Sequence, residues 1–387
     1  MIGDLKSLGA ICEFKYGRAL PERNRQPGNV PVFGSNGNVG WHTSAITEGA
    51  AIVIGRKGSV GEVHYCGGSC WPIDTTYYID NSATNQDLKW LTYALRSLNL
   101  DGLNKATGVP GLNRNDAYEQ LLAVPPLEEQ RRIAAILDQA DDLRRRRRLA
   151  LERLNALPQA IFQEMFGAVN GAAKANFAKL GDVCDVRDGT HDSPAYVDEG
   201  YPLATSKNLT SGFVDLSSAR LISKQDFDTI NRRSKVDKGD ILMPMIGTIG
   251  SPVIVDCEPS FAIKNVALIK MKPQSPKLSY VLQVLKSDHF RDLVESKNRG
   301  GTQKFLSLGD IRSLGLPIPS KTDQDRFAEL IAAVNDVIRR QSEYMSSCND
   351  LFASLQHHAF DGMLTPGSAQ ENPEPLERVN PATPLGV

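Results

Sequence analysis

GRKGS (Gly55–Ser59) sets two cations between glycines. Glycine lets backbone approach a phosphate closely, and arginine can grip guanine O6 and N7 in a fork. Arg56, Lys57 and Ser59 are therefore candidate DNA contacts; the plainer reading is a polar hairpin turn. FGSNG (Phe33–Gly37) offers Ser35 and Asn36 on a similar loop of small polar groups. KNRGGTQK holds Lys297, Asn298, Arg299, Thr302, Gln303 and Lys304, a basic loop rich in forked donors. Its counterpart in the first half of the chain is Asn104, Lys105, Asn113 and Arg114. In DGTHDSP, Thr190, His191 and Asp192 can contact a base or phosphate. Alternatively, Asp188 and Thr190 close a turn on local backbone.

Other chemistry fails on residue type or spacing. His64, Cys66 and Cys70 offer at most three zinc ligands, with no second CxxC. Glu295-Ser296-Lys297 has the E-x-K of many nucleases but no Pro-Asp before it at useful spacing. No GxxxxGKS loop exists for a nucleotide motor, and no Asn-Pro-Pro-aromatic motif for adenine methylation. The five-arginine run Arg144–Arg148 has Asp138, Asp141, Asp142 and Glu152 within helical reach. It reads first as a salt-bridged, solvated helix face, second as a docking surface, and third as a DNA contact.

Composition narrows the class. The 387 residues exceed one ordinary core, which predicts two or three domains. With 44 basic and 45 acidic residues the net charge is −1, so DNA binding would need local patches or a basic partner. No run of apolar residues is long enough to span a membrane, and the N-terminus lacks a signal pattern. Six scattered cysteines suit a reducing cytosol.

These loops must be held by larger elements, and the chain supplies them twice. VPPLEEQRRIAAIL (Val124–Leu137) and IPSKTDQDRFAELI (Ile318–Ile331) each lead into a long helical segment. Pro125 meets Pro319, an offset of 194, and at that offset Gln130 meets Gln324 and Phe166 meets Phe360. A 4-3 ladder runs Ile136, Ala140, Leu143, Arg147, Ala150, Leu154, Leu157, Ile161. Its copy runs Leu330, Val334, Val337, Gln341, Tyr344, Cys348, Leu351, Leu355. That spacing is a coiled-coil seam, with one long polar rung in each helix. Rods of roughly 50–60 Å follow from the helical rise, and Pro158 is expected to kink the first. Upstream of each helix lies a strand-rich region with one similarly placed hairpin. The first joins Ala50–Ile54 to Glu62–Cys66, and the second joins Asp240–Ile246 to Pro252–Val255 across GTIG (Gly247–Gly250). Similar halves tend to pack about a pseudo-two-fold axis, with the helices antiparallel and a globule at each end.

This organisation resembles the specificity (S) subunit of type I restriction–modification systems over nearly the whole chain. The likeness rests on GNVPVFGSNGNVGWH (Gly28–His42), AAIVIGRKGSVGEVHY (Ala50–Tyr65), PPLEEQ before a long helix, RDGTHDSPAYVDEGYPLATSKNL (Arg187–Leu209) and VDKGDILMPMIGTIG (Val236–Gly250). The second junction, PSKTDQDRF, departs from the PPLEEQ pattern. Lys207, Asn208 and Thr248, within these stretches, join the candidate contacts.

The resemblance implies an α+β fold of two pseudo-symmetric halves. Target-recognition domains would occupy 1–126 and 178–319, helices of an antiparallel coiled coil 127–167 and 320–362, a linker 168–177 and a disordered tail 363–387. It implies a non-catalytic cytoplasmic protein without a cofactor of its own, each domain reading one half of a bipartite site in double-stranded DNA. Its partners would be two methyltransferase (M) subunits, which use S-adenosylmethionine, and motor-nuclease (R) subunits in the full complex. The alternatives are a self-contained DNA-modifying enzyme and a coiled-coil assembly adaptor.

Overall fold

A computed structural model describes residues 3–103, 111–167, 177–210, 212–245, 252–297 and 306–360, with the side chains of residues 289, 293, 296 and 297 left out. The chain divides into two compact units, Met1–Arg148 with Glu343–Val387, and Leu149–Ser342. The division cuts both long helices in the middle. Each unit is therefore one strand-rich globule, half of one long helix and half of the other.

In unit 1 a four-stranded antiparallel sheet has the order Lys15–Tyr16, Thr76–Asp80, Ala51–Gly55, Val63–Cys66. A smaller sheet joins Gly37–His42, Val30–Gly34 and Trp71–Pro72. Asp4–Ser7 pairs with Leu121–Val124 beside the start of the first long helix. Unit 2 repeats the plan. Its main sheet has the order Cys184–Asp188, Val266–Met271, Ile241–Pro244, Val253–Ile254, and Phe177–Lys179 pairs with Gly315–Pro317. A second four-stranded sheet comprises Tyr196–Val197, Arg220–Ile222, Tyr201–Ala204 and Ala262–Ile263. Both hairpins foreseen in the sequence form in these sheets.

The long helices run Leu127–Phe166 and Lys321–Phe360. Prolines precede each, which cannot continue a helix backwards but suit its first turn. Just inside each start a buried glutamine braces helix to globule. Gln130 donates to the Pro125 carbonyl (2.8 Å) and accepts from the Asp87 amide (2.9 Å). Gln324 donates to the Pro319 carbonyl (3.0 Å) and accepts from the Lys277 amide (2.9 Å). Pro158 lies buried within the first helix without ending it.

Within each unit the helix segments run antiparallel. In unit 1 Arg144 bonds Asn349 while Arg147 lies over Tyr344, so one helix ascends as the other descends. The rungs of the second helix are the buried Phe327, Ile331 and Phe352 and the half-buried Val334, Ile338, Gln341, Met345, Cys348, Leu355 and Ala359. Shifted by 194 they become Ile133, Leu137, Ala140, Arg144, Arg147, Leu151, Leu154, Pro158, Ile161 and Met165, each at least half-buried.

This corrects half of the sequence ladder. Leu154, Ile161, Val334 and Leu355 stand on true rungs. Ile136, Leu143, Leu157, Leu330, Val337 and Leu351 stand one residue off; all but Ile136 are exposed. The buried stripe has two neighbours to satisfy. Ile133, Ala134 and Leu137 also enter the unit 1 globule core, and Phe327 and Ile331 that of unit 2. Facing the globule as well as the other helix rotates each helix by about one residue, 100°.

Candidate nucleic-acid interface

The first globule brings FGSNG and GRKGS together. Ser35 and Asn36 form the tip between Val30–Gly34 and Gly37–His42. A Cβ on Gly55 would meet the Ser59 carbonyl at 1.9 Å and the Ser35 side chain at 3.1 Å, so only glycine allows this approach. The Gly55 amide accepts its place in the turn by donating to Glu62, and the Arg56 and Lys57 amides donate to the Thr75 carbonyl. The Arg56 carbonyl accepts from the Leu112 amide, and Lys57 bridges to Gly111, which carries Asn113 and Arg114 alongside. Four sequence-separated candidates, Arg56, Lys57, Asn113 and Arg114, thus share one surface.

Tyr16 organises that surface. Its ring is 54% exposed and lies 5.4 Å from the guanidinium carbon of Arg56 and 5.4 Å from that of Arg114. Each such contact is worth ~0.5–1 kcal/mol at an exposed site. Arg56 also donates to the Asp74 carbonyl (2.7 Å), and its Nε is buried without a partner. Beneath, Tyr77 donates to the Leu112 carbonyl, and burial pushes its phenol up to about 12. The result is a pair of oriented guanidinium groups on an exposed ring. Asn113 caps the short helix Arg114–Tyr118 by accepting from the Asn115 amide.

In unit 2 the candidates disperse. His191 is held on both ring nitrogens, by Asn265 (2.9 Å) and Asp188 (3.0 Å), and Asp188 also pairs with Arg233. Thr190 bonds backbone at Ile263 and Asn265, and its hydroxyl accepts from the Asp192 amide. The turn reading of DGTHDSP is what these bonds describe. Asn208 is 4% exposed; its amide oxygen accepts from Thr205 and its nitrogen donates to Asp215. With both ends of its amide occupied by local partners, Asn208 braces the backbone around it. Lys207 remains exposed, on the border of a cavity of about 340 Å³. There Arg220 stacks 4.7 Å over the exposed ring of Tyr196. Lys105, Thr248, Asn298, Arg299, Thr302 and Lys304 lie outside the described residues, as does the side chain of Lys297 and the tail 363–387.

Sequence reading missed Tyr16, Tyr196 and Arg220. Nothing in their spacing marks them; the only cue is an aromatic residue amid polar neighbours, which suits a surface that is apolar on one side and wet on the other.

The arginine run divides. Arg144 and Arg147 enter the helix pair, over Phe352 (4.2 Å) and Tyr344 (5.3 Å). Arg145 and Arg146 pair with Asp142 on the solvent face. Among the described residues no group of three or more His, Cys, Asp or Glu is placed to hold a metal, and no helix is long and apolar enough to cross a membrane. Cys66 and Cys70 hydrogen-bond to one another, which lowers the Cys66 thiol and raises that of Cys70, while His64 turns to the Ser35 carbonyl.

A family model for the type I restriction modification DNA specificity domain matches residues 4–153 and again 174–342. The EcoBI specificity subunit of Escherichia coli is 28% identical over 197 residues, 49% of this chain and 41% of that protein. The chain thus spans less than half the length of that relative. The EcoKI specificity subunit of E. coli is 25% identical over 297 residues, 68% of this chain and 62% of the relative. The MjaVIII specificity subunit of Methanocaldococcus jannaschii is 20% identical over 332 residues, 79% and 74%. The crystal structure of the type I S subunit from M. genitalium superposes with a TM-score of 0.60 at 16% identity, covering 92% of this chain and 96% of that one. That likeness is one of fold.

Proposed function

The chain belongs to the family of type I restriction–modification DNA specificity domains, and on that premise we propose that it directs a methyltransferase complex to a two-part target in double-stranded DNA, one part read by each unit. The observation that carries the reading is the surface of unit 1, where Arg56 and Arg114 share the exposed Tyr16 ring. A guanidinium fixed in plane by stacking is prepared for the forked grip on guanine. Arg220 on Tyr196, beside Lys207, is the corresponding pair in unit 2. The paired helices set the number of base pairs between the two parts.

Docking of two methyltransferase subunits has its own support. The ladder residues that lie off the seam form an exposed apolar row on each helix. Leu143, Tyr344 and Leu351 belong to unit 1; Leu157, Leu330 and Val337 belong to unit 2. In an antiparallel pair such flanking rows share one side. Each unit thus offers one patch of the same kind, which suits two copies of one partner. The chain performs no chemistry itself in this reading. It works in the cytoplasm, with motor-nuclease subunits added for restriction. Its net charge of −1 makes DNA binding by the chain alone weak at physiological salt.

The test is to map methylated adenines in cells carrying the chain and its methyltransferase. Arg114→Ala should relax one half of the methylated sequence, and Arg220→Ala only the other. One good forked contact discriminates by ~1–3 kcal/mol. If either change alters both halves equally, the assignment of one unit to one half fails.

A further inference from the structure

Both units set a short helix against the helix pair: Leu88–Ser97 in unit 1 and Leu278–Lys286 in unit 2. The glutamine braces fix their register, because Gln130 accepts from Asp87 where Gln324 accepts from Lys277. Counting on from there, Tyr93 corresponds to Gln283 and Lys89 to Ser279. On the long helices Asp138 corresponds to Ala332 and Phe352 to Pro158.

In unit 1 these positions fill space. Tyr93 is 4% exposed and donates to Asp138 (2.8 Å), Lys89 pairs with the same carboxylate, and the Phe352 ring lies 6.1 Å from that of Tyr93. In unit 2 the two rings, the carboxylate and the ammonium are gone. Their replacements border a cavity of about 600 Å³.

Its lining differs from that of a passive void, which is apolar. Ile331, Ile338 and Leu282 supply apolar walls. Gln283 also lines it and is only 5% exposed. Gln159 Oε1 and Ser279 Oγ are buried there without partners. Lys286, exposed to solvent, stands at the rim. Buried polar groups need partners, which water supplies and a ligand of matching chemistry can replace. The volume lies in the range of small-molecule sites.

Relative to unit 1, the cavity lacks aromatic rings and a carboxylate but keeps donors. We infer that the unit 2 cavity binds a small aromatic carboxylate, its rings against the aliphatic wall and its carboxylate toward Lys286 and the Gln283 amide. None of its lining residues is among the proposed DNA contacts or the exposed apolar rows.

Calorimetric titration of the full chain with 2-naphthoate, and with the neutral 2-naphthalenemethanol, tests this. The expected result is one saturable site that binds the carboxylate roughly tenfold more tightly than the alcohol. Gln283→Tyr with Ala332→Asp, which rebuilds the content of unit 1, should abolish binding. In the wild-type protein, naphthyl protons should show NOEs to the Ile331 and Ile338 methyl groups, a readout that needs no variant. Absence of saturable binding at millimolar concentration overturns the proposal. So do NOEs confined to other residues, or unchanged binding by the folded double variant. Equal affinity for the alcohol overturns the carboxylate assignment.

Discussion

In unit 1 the long helices carry cations on rings as well as ring pairs, Phe360 with Trp90 (6.4 Å) and Phe352 with Tyr93 (6.1 Å), and in unit 2 ring pairs. Arg144 covers Phe352 and bonds Asn349 (3.0 Å), and Arg147 covers Tyr344. In unit 2 Phe162, Phe166, Tyr280 and Phe327 pack with centroids between 5.0 and 6.5 Å, and Phe327 is wholly buried. The phase of the rungs and the glutamine braces are common to both, but the chemistry of the rungs is not. A duplicated scaffold keeps the features that fix geometry and is free to vary those that only fill space. The variation also selects partners. The counterpart of Phe352 on the first helix is Pro158, and that of Tyr344 is Ala150. Two copies of the first helix therefore cannot reproduce either stacking contact.

The strongest way to break this comparison is to remove one side of it. A fragment ending at Gly167 lacks Glu343–Phe360, and with it the Phe352, Leu355 and Phe360 that pack on the unit 1 core. It should pair with a second copy, whose Ile161, Phe162 and Phe166 supply apolar surface in their place. Burial of each large apolar side chain contributes roughly 1.5–3 kcal/mol. Arg144 would still find an amide, Asn155 standing where Asn349 stands. Arg147 would lose its ring, so Arg147→Gln should tighten the dimer, as read by sedimentation equilibrium. On the proposed function, the dimer together with a methyltransferase should methylate an inverted repeat of the first half-site. A fragment that stays monomeric at high concentration would sink the account.

Next in size are the two buried rings. Phe327→Ala and Phe352→Ala should each cost ~3–5 kcal/mol, with Phe327 the larger because it is the more buried. All three tryptophans, Trp41, Trp71 and Trp90, lie in unit 1. Fluorescence therefore reports unit 1, while far-UV circular dichroism reports both. Phe352→Ala should shift the fluorescence transition in urea, and Phe327→Ala mainly the dichroism. Coincident shifts from both variants would mean that the units unfold as one. Smaller again, Arg144→Ala should cost ~1–2 kcal/mol through its ring contact and its hydrogen bond to Asn349, and loss of the Arg147 ring contact in Arg147→Ala ~0.5–1 kcal/mol.

How far such features can be read from sequence depends on how many neighbours they serve. The duplication was legible because Pro125, Gln130 and Phe166 recur at one offset, and glutamine at a helix start has a single job. The hairpins were legible from apolar runs broken by glycine. The seam was legible only on alternate rungs. Apolar residues stand side by side at Ile136-Leu137, Leu330-Ile331, Val337-Ile338 and Leu351-Phe352, and periodicity cannot choose between neighbours when the globule also pulls on the helix. Leu143 was preferred to Arg144 because a guanidinium reads as solvent-facing until a ring is seen beneath it. At the proposed DNA-reading surface Arg56 and Arg114 are candidates by residue type, but Tyr16, whose ring both guanidinium groups approach, is a matter of topology. Asn208 shows the same limit: a buried amide that braces backbone looks, in sequence, like one offered to a base.

Acid should give the smallest and most local difference between the units. In unit 1 Asp80 is 6% exposed and accepts from Lys15 (3.0 Å), the Ser82 hydroxyl (2.7 Å) and the Ser82 amide (3.1 Å). Burial alone would raise its pKa, but the bonds from Ser82 and Lys15 outweigh it and hold the carboxyl below the ordinary range. The folded state thus binds this proton less readily than the unfolded chain. Its contribution is complete above the unfolded value, ~3.9, and is lost as pH falls through the lower folded value. Asp237 in unit 2, lowered chiefly by Lys270, behaves with the same sign but is half exposed and more screened by solvent. Lys15→Met removes one partner of Asp80. Its cost, followed by tryptophan fluorescence in urea, should be greatest at neutral pH and shrink as pH falls below about 4, towards the lower pH at which Asp80 is protonated in the folded wild type as well. A cost that stays constant across that range would mean that Lys15 acts through the packing of its stem against Tyr78, over whose ring its ammonium lies at 5.8 Å, and not through its charge on Asp80.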